Sequence, residues 1–82
     1  MSQQDESWSA KILANGIRDL RVRRGYTQEG LARAIGTGQP AIARMEDPLY
    51  RGWSFKTLLK IAWALRARLR VRLIPKQRKA PL

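Results

Sequence analysis

Apolar residues recur at helical spacing soon after the start of the chain. The i, i+4, i+7 rule is met by one stripe of side chains: Leu13, Ile17 and Leu20, with Ile12 beside them. Three cations fall on or beside the opposite, solvent-facing side: Arg18, Arg21 and Arg23. The spacing predicts an amphipathic first helix that begins near Ala10 and ends at Gly25, a residue suited to a left-handed C-terminal position.

A short second helix is predicted directly afterwards. Thr27 is a suitable N-cap, because its hydroxyl can accept a hydrogen bond from a free backbone N–H of the first turn. One apolar face follows: Leu31, Ala32 and Ile35. Gly36 stops the helix, since glycine adopts a positive φ at no steric cost.

A third helix is predicted to begin near Gln39, after a connector of only Gly36–Gly38. Pro40 lies in its first turn, where a missing N–H costs nothing. Ile42 and Met45 form the buried side, and the segment Glu46, Asp47, Pro48 ends the helix.

The fourth helix begins after the turn-rich loop "DPLYRGW" at 47–53. Ser54 can cap it. At about 100° per residue its apolar side chains form one broad stripe: Phe55, Leu58, Leu59, Ile61, Ala62 and Leu65. We expect it to end near Arg66–Ala67.

The periodicity then changes from helical spacing to alternation. Three apolar residues, Leu69, Val71 and Leu73, alternate with Arg68, Arg70 and Arg72. Period two predicts a half-buried β-strand over 67–75, closed by Pro75. A single strand in a helical domain needs a partner, and the simplest one is the same strand of a second copy. We therefore predict a homodimer interface at Leu69, Val71, Leu73 and Trp63.

Size and charge narrow the function. The 82 residues suit one domain, divided into a flexible arm (1–9), a helical domain (10–66), the strand (67–75) and a basic tail (76–82). The formal net charge of +11 favours a polyanionic partner. Cysteine and histidine are both absent, which removes disulfides, the commonest general base and the commonest metal ligand. No stretch is apolar enough to span a membrane. We expect a cytoplasmic protein that is not an enzyme and needs no cofactor or metal.

The stretch "QEGLARAIGTGQPAIARMED" has the features of a helix-turn-helix. Its connector is so short that the two helices must cross steeply and pack closely, and Ala32 supplies the small inner residue that this packing needs. Together with "SFKTLLKIAWAL", the stretch resembles the Xre family of phage-repressor, Cro/C1-type domains from about Ile12 to Leu65. The resemblance implies an all-α, lambda-repressor-like bundle of four to five helices, here with a C-terminal β-strand that pairs in a dimer.

The resemblance also implies the residues that contact double-stranded DNA. Those that would face bases in the major groove are Gln39, Pro40, Ala43 and Arg44. Gln28 would sit beside a phosphate and buttress Gln39. The contacts to the backbone would come from Thr37, Arg51, Trp53 and Lys56. For Arg68, Arg70 and Arg72, a solvated strand face and a DNA contact remain two open interpretations.

Two functions fit these expectations. The first is a homodimeric, sequence-specific transcriptional regulator, a repressor that reads an inverted repeat. The second is an antitoxin that binds a toxin protein and autoregulates its own promoter. An RNA-binding module is disfavoured because no aromatic side chains are arranged on an exposed sheet, and a membrane-surface helix is disfavoured by the sparse basic face of the fourth helix.

Overall fold

Four α-helices form the folded part of the chain in the computed structural model, which describes residues 6–75. They are α1 (Glu6–Arg23), α2 (Gln28–Ile35), α3 (Gln39–Met45) and α4 (Phe55–Ala64). No strand occurs within 6–75. The expected all-α class is confirmed, with the lower of the two predicted helix numbers. Within the same residues, no helix is both long and apolar enough to cross a membrane.

Helix α1 is longer at its N-terminus than the sequence pattern indicated. It begins at Glu6 rather than at Ala10, so residues 6–9 belong to the helix and not to the predicted arm. Residues 1–5 of that arm lie outside the described residues. Its buried side is also shifted, because Ala10, Ala14 and Ile17 are buried at i, i+4, i+7, whereas Ile12 is 52% exposed.

The caps of the next helices are formed as expected. Thr27 accepts a hydrogen bond from the backbone N–H of Gly30, and Ser54 accepts one from the N–H of Thr57. Gly36 ends α2 with a φ of 77°, a left-handed conformation that residues with a side chain adopt only under strain. Pro40 lies in the first turn of α3. Since each of these signals acts within a few residues, the sequence was sufficient to place them.

Helix α2 lies at the centre of the domain and packs against both α3 and α4. The buried cluster combines one or more residues from every helix: Ile17, Leu31, Ala32, Ile35, Ile42, Met45, Ile61, Ala64 and Leu65. Of these, Leu31 and Ile42 have no exposed surface at all. Burying a side chain of this size stabilises the fold by roughly 1.5–3 kcal/mol, and both belong to the cluster against which α2 and α3 pack.

The chain leaves α4 through a left-handed residue. Arg66 has a φ of 54°, and the N–H of Ala67 donates back to the carbonyl of Ala62 at 2.8 Å. The guanidinium of Arg24, the residue that follows α1, donates to the Leu65 carbonyl at 2.7 Å and helps to hold this helix end.

The strand predicted over 67–75 is not formed in the single chain, where residues 68–75 have no regular secondary structure. A strand needs a neighbouring strand to receive its backbone hydrogen bonds, and the described part of the chain offers none. Val71 is 67% exposed and Leu73 is 95% exposed. The predicted basic tail, 76–82, lies outside the described residues.

Candidate nucleic-acid interface

Helix α3 has one outer and one inner face. Ile42 and Met45 are buried against the core, while Gln39, Pro40 and Arg44 are exposed and Ala43 is half-buried. At about 100° per residue, the outer side chains span an arc of roughly 140°. The four side chains predicted to face bases therefore share one surface, as expected, although their contact with DNA remains a prediction.

Gln39 is held in place by a side chain from α2. Its Nε2 donates to Oε1 of Gln28 at 2.6 Å. Gln28 in turn donates from its own Nε2 to Oε1 of Glu46 at 3.1 Å. Gln28, at the start of α2, thus connects the two ends of α3, Gln39 at its start and Glu46 at its C-cap. No rule based on neighbouring residues specifies the contact with Glu46.

The far end of this connection is an ion pair that the sequence analysis missed. Arg21 donates from Nε to Oε2 of Glu46 at 2.6 Å and from Nη2 to Oε1 at 3.0 Å. Its Nη1 donates to the backbone carbonyl of Tyr26 at 2.8 Å. The side chains of Arg21 and Glu46 are only 11% and 4% exposed. A bidentate pair of this kind has strict geometry, so it ties α1 to the C-terminal end of α3.

Two sequence expectations are corrected by this pair. Arg21 does not lie on the solvent face of α1, and Glu46 does more than terminate α3. Helical spacing could have predicted the position of Glu46, because it follows the buried Ile42 by four residues and so falls on the buried side. Arg21 follows Ile17 by four residues in the same way. A carboxylate on an inner face requires a cationic or hydrogen-bonding partner.

Three of the residues predicted to contact phosphate are exposed to solvent. Thr37 and Lys56 are exposed, and so is Arg51. The Nη1 of Arg51 donates to the carbonyls of Pro48 and Tyr50, each at 2.9 Å, so this guanidinium braces its own loop. The three side chains are accessible to a ligand, and their role at a phosphate remains a prediction.

Trp53 does not present a hydrogen-bond donor to solvent. It is half-buried against the core cluster, and its ring meets that of Tyr50 edge-on at a centroid distance of 5.0 Å. Its one polar atom, Nε1, is buried and has no hydrogen-bond partner. Trp53 therefore anchors the loop between α3 and α4, and its contact with the DNA backbone remains a prediction.

The side chains predicted for the dimer interface are mostly uncovered. Trp63 is 77% exposed and continues a stripe on α4 with Phe55 and Leu59, which are 61% and 46% exposed. Leu69 is half-buried, and it lines an apolar groove of about 230 Å³ between α1 and α4. Exposed apolar side chains that form a stripe and a groove are typical of an interface between proteins.

The described residues hold no group of acidic side chains arranged to bind a metal ion. What they do hold is a pair of short helices joined by a tight glycine turn, with the second helix presenting an exposed polar face. That arrangement defines a helix-turn-helix domain.

The chain belongs to the helix-turn-helix family of the Cro/C1, Xre-like type, whose model HTH_3 matches residues 17–70. Among solved structures, it is similar to a chain in the "Structure of HipA-HipB-O2-O3 complex". That chain is 24% identical, with a TM-score of 0.68 over 92% of this chain and 100% of the other, which shows that the two share a fold. No curated protein matches the chain.

Proposed function

We propose that this protein is a sequence-specific DNA-binding transcriptional regulator of the cytoplasm, a repressor that inserts helix 39–46 into the major groove of an inverted-repeat operator. The observation that carries the proposal is the outer face of α3, where Gln39 and Arg44 are exposed together on a helix whose opposite face is buried. Repression then needs only occupation of a promoter, with neither catalysis nor a cofactor.

The outer face has the chemistry to distinguish bases. A glutamine can bind adenine through two hydrogen bonds, and an arginine can bind guanine in the same bidentate way. Each such pair supplies roughly 1–3 kcal/mol of discrimination. Pro40 has no N–H to donate, so its contribution is apolar contact, for example with a thymine methyl group. Ala43 is small enough to let the helix approach the base edges.

The charge of the chain supports backbone binding. A formal +11 over 82 residues gives a strong attraction to phosphate that does not depend on sequence. Thr37, Arg51 and Lys56 surround the helix pair with exposed polar groups, and Gln28 opens α2, where the helix N-terminus favours a phosphate. These groups would orient α3 in the groove while the bases are read.

The proposal includes a homodimer formed through 67–75. Leu69, Val71 and Leu73 alternate along one side of a segment that has no strand to pair with inside the described chain. Pairing with the same segment of a second copy would satisfy the backbone and cover the exposed Val71 and Leu73, with Trp63 joining from α4. Two recognition helices related by a two-fold axis would then reach successive major grooves, about 34 Å apart.

Selection of bound sites from random double-stranded DNA tests the proposal. We expect an inverted repeat whose half-sites are centred about 10 base pairs, or a multiple of that distance, apart. Sedimentation of the complex on the selected site should give two copies of the chain per duplex. A bound pool without any sequence preference would contradict the proposed function.

A second candidate is an antitoxin that binds a toxin protein and autoregulates its promoter. One observation favours it: the similar solved chain is part of a HipA-HipB-O2-O3 complex, and an antitoxin likewise acts in a complex with another protein. Co-purification of the untagged chain with the product of the neighbouring gene would distinguish the two functions. A stoichiometric complex that also retains operator binding favours the antitoxin, and a chain that purifies alone with full operator affinity favours the simple repressor.

A further inference from the structure

A glutamine that reads a base has two ends of nearly equal shape and opposite chemistry. Its Oε1 accepts hydrogen bonds and its Nε2 donates them. Rotation of the amide by half a turn exchanges the two groups. Gln39 is exposed on α3, so its base preference depends on what keeps its amide in one orientation.

That orientation can be traced from the buried end of the hydrogen-bonded chain. Both carboxylate oxygens of Glu46 receive hydrogen bonds from Arg21, at 2.6 and 3.0 Å. Oxygens held in this way have only lone pairs to offer a further neighbour. The group that Gln28 turns toward Glu46 must therefore be its donor, and Nε2 of Gln28 lies 3.1 Å from Oε1 of Glu46.

The constraint passes through Gln28 to the base-reading residue. With Nε2 committed to Glu46, Gln28 presents Oε1 to Gln39, which answers with its Nε2 at 2.6 Å. Gln39 is left with Oε1 and its second Nε2–H directed away from Gln28. One acceptor and one donor side by side are what the N6 amino group and N7 of adenine require.

We infer that Glu46 is a positioning residue for base recognition, which sets the order of acceptor and donor on Gln39 through the amide of Gln28. The inference deepens the proposed function and rests on it, because it takes Gln39 to be a base reader. Reversing Gln39 alone would place its Oε1 against Oε1 of Gln28, two acceptors with no donor between them. Reversing both amides would bring Oε1 of Gln28 against the carboxylate of Glu46, which also only accepts. Arg21 supports the same order, since it occupies both oxygens of Glu46.

The first experiment needs no DNA. The charge pair is removed as a unit in Arg21→Met/Glu46→Leu, because removing one partner alone would leave a buried charge. NMR of the free protein then follows the side-chain amide protons of Gln28 and Gln39. We expect shifts in the wild type that are displaced from those of free glutamine, and a collapse of both toward the free values in the double variant. Unchanged shifts in the double variant would overturn the inference.

The second experiment measures base discrimination on the operator selected by the wild type. In Arg21→Met/Glu46→Leu, discrimination at the base pair that Gln39→Ala affects should fall by roughly 5- to 10-fold, since a freely rotating amide loses much of a bidentate contact. Discrimination at the base pair that Arg44→Ala affects should not change. Circular dichroism and thermal melting establish that the variant is folded under the binding conditions.

A matched background separates positioning from packing. Gln28→Leu breaks the connection between Glu46 and Gln39 but keeps the ion pair with Arg21. In this background, removal of the ion pair should have no further effect at the base pair read by Gln39. Equal losses in both backgrounds would assign the pair to helix packing alone and overturn the inference.

The experiments distinguish failure of the proposed function from failure of the inference about Glu46. A wild type that selects no sequence would overturn the proposed function and, with it, the base-reading part of the inference. A selective wild type whose double variant retains full discrimination would overturn the inference and leave the proposed function standing.

Discussion

The helix pair α2–α3 and the segment after α4 differ in where their side chains find contacts: inside the chain for the first, and in solvent for the second. In the helix pair, Leu31 and Ile42 are fully buried, and Arg21, Gln28, Glu46 and Gln39 hydrogen-bond to one another within the chain. After α4, Leu73 is 95% exposed and Ile74 is 72% exposed. Each region has a regular apolar pattern in the sequence, but only the first finds its partners inside one copy.

The difference indicates how the two regions depend on other molecules. The helix pair shares its core and its ion pair with α1 and α4 of the same chain, so its shape should be independent of protein concentration. In the C-terminal segment, apolar side chains alternate with arginines. This segment gains stability only when a second surface covers its apolar side. Four predictions test this division.

The largest expected effect is that of salt on DNA affinity. If a dimer neutralises about eight phosphates, log affinity should fall against log salt with a slope of about −7, which is roughly a 10⁴-fold loss between 50 and 200 mM. Fluorescence anisotropy over a salt series measures it. Replacing Arg68, Arg70 and Arg72 by serine decides between their two interpretations: an unaltered slope assigns them to a solvated face, and a shallower one assigns them to DNA. A wild-type slope near zero would contradict electrostatic binding altogether.

Glu46→Ala should produce the largest loss of folding stability. It leaves the guanidinium of Arg21, whose side chain is 11% exposed, without its carboxylate. Breaking one side of a buried pair costs about 3–5 kcal/mol. Urea unfolding at two protein concentrations measures the loss, and we expect the same loss at both.

The control for that loss is Arg21→Met/Glu46→Leu, which removes both charges and should recover most of the stability. A Glu46→Ala protein as stable as the wild type would show that the ion pair does not brace the helix pair.

Val71→Asp should affect assembly and leave the helical domain folded. A carboxylate in a paired-strand interface loses hydration, and the apolar burial of valine, about 1.5–3 kcal/mol, is lost as well. We expect dimerisation to weaken by roughly 100-fold, equivalent to about 2.7 kcal/mol. Sedimentation equilibrium measures it, with Arg72→Ser on the alternate register as the control. A dimer that persists in Val71→Asp would rule out pairing through this segment.

Arg44→Ala should have the smallest and most localised effect. The fold should remain intact, because this side chain is exposed, while discrimination at one base pair should fall by about 1–3 kcal/mol. Binding to a panel of single-base operator variants measures it. Arg18→Ala removes the same charge from an exposed position on α1 and should lower affinity uniformly, if at all. Unchanged discrimination in Arg44→Ala would remove this residue from the interface.

Much of the helix-turn-helix could be predicted because its signals are local. Thr27, Gly36 and Ser54 act on backbone groups within three or four residues of themselves, so each cap was found without knowledge of the rest of the chain. The outer face of α3 followed from the same arithmetic, since Ile42 and Met45 fixed which side was buried. The start of α1 was misplaced because residues 6–9 carry no apolar periodicity to reveal a helix.

The sequence by itself determined where the helices α2, α3 and α4 lie, which residues cap them and which face of α3 is left outside, because these depend on hydrogen bonds and periodicity over a few neighbouring positions. The family resemblance already placed Gln28 beside Gln39. Only the tertiary structure decided that Arg21 meets Glu46 across 25 residues, that Gln28 also donates to Glu46, and that Trp53 is an anchor for its loop. Those contacts depend on the angles at which helices and loop cross the buried cluster, and such angles arise from side chains packing together from all parts of the chain.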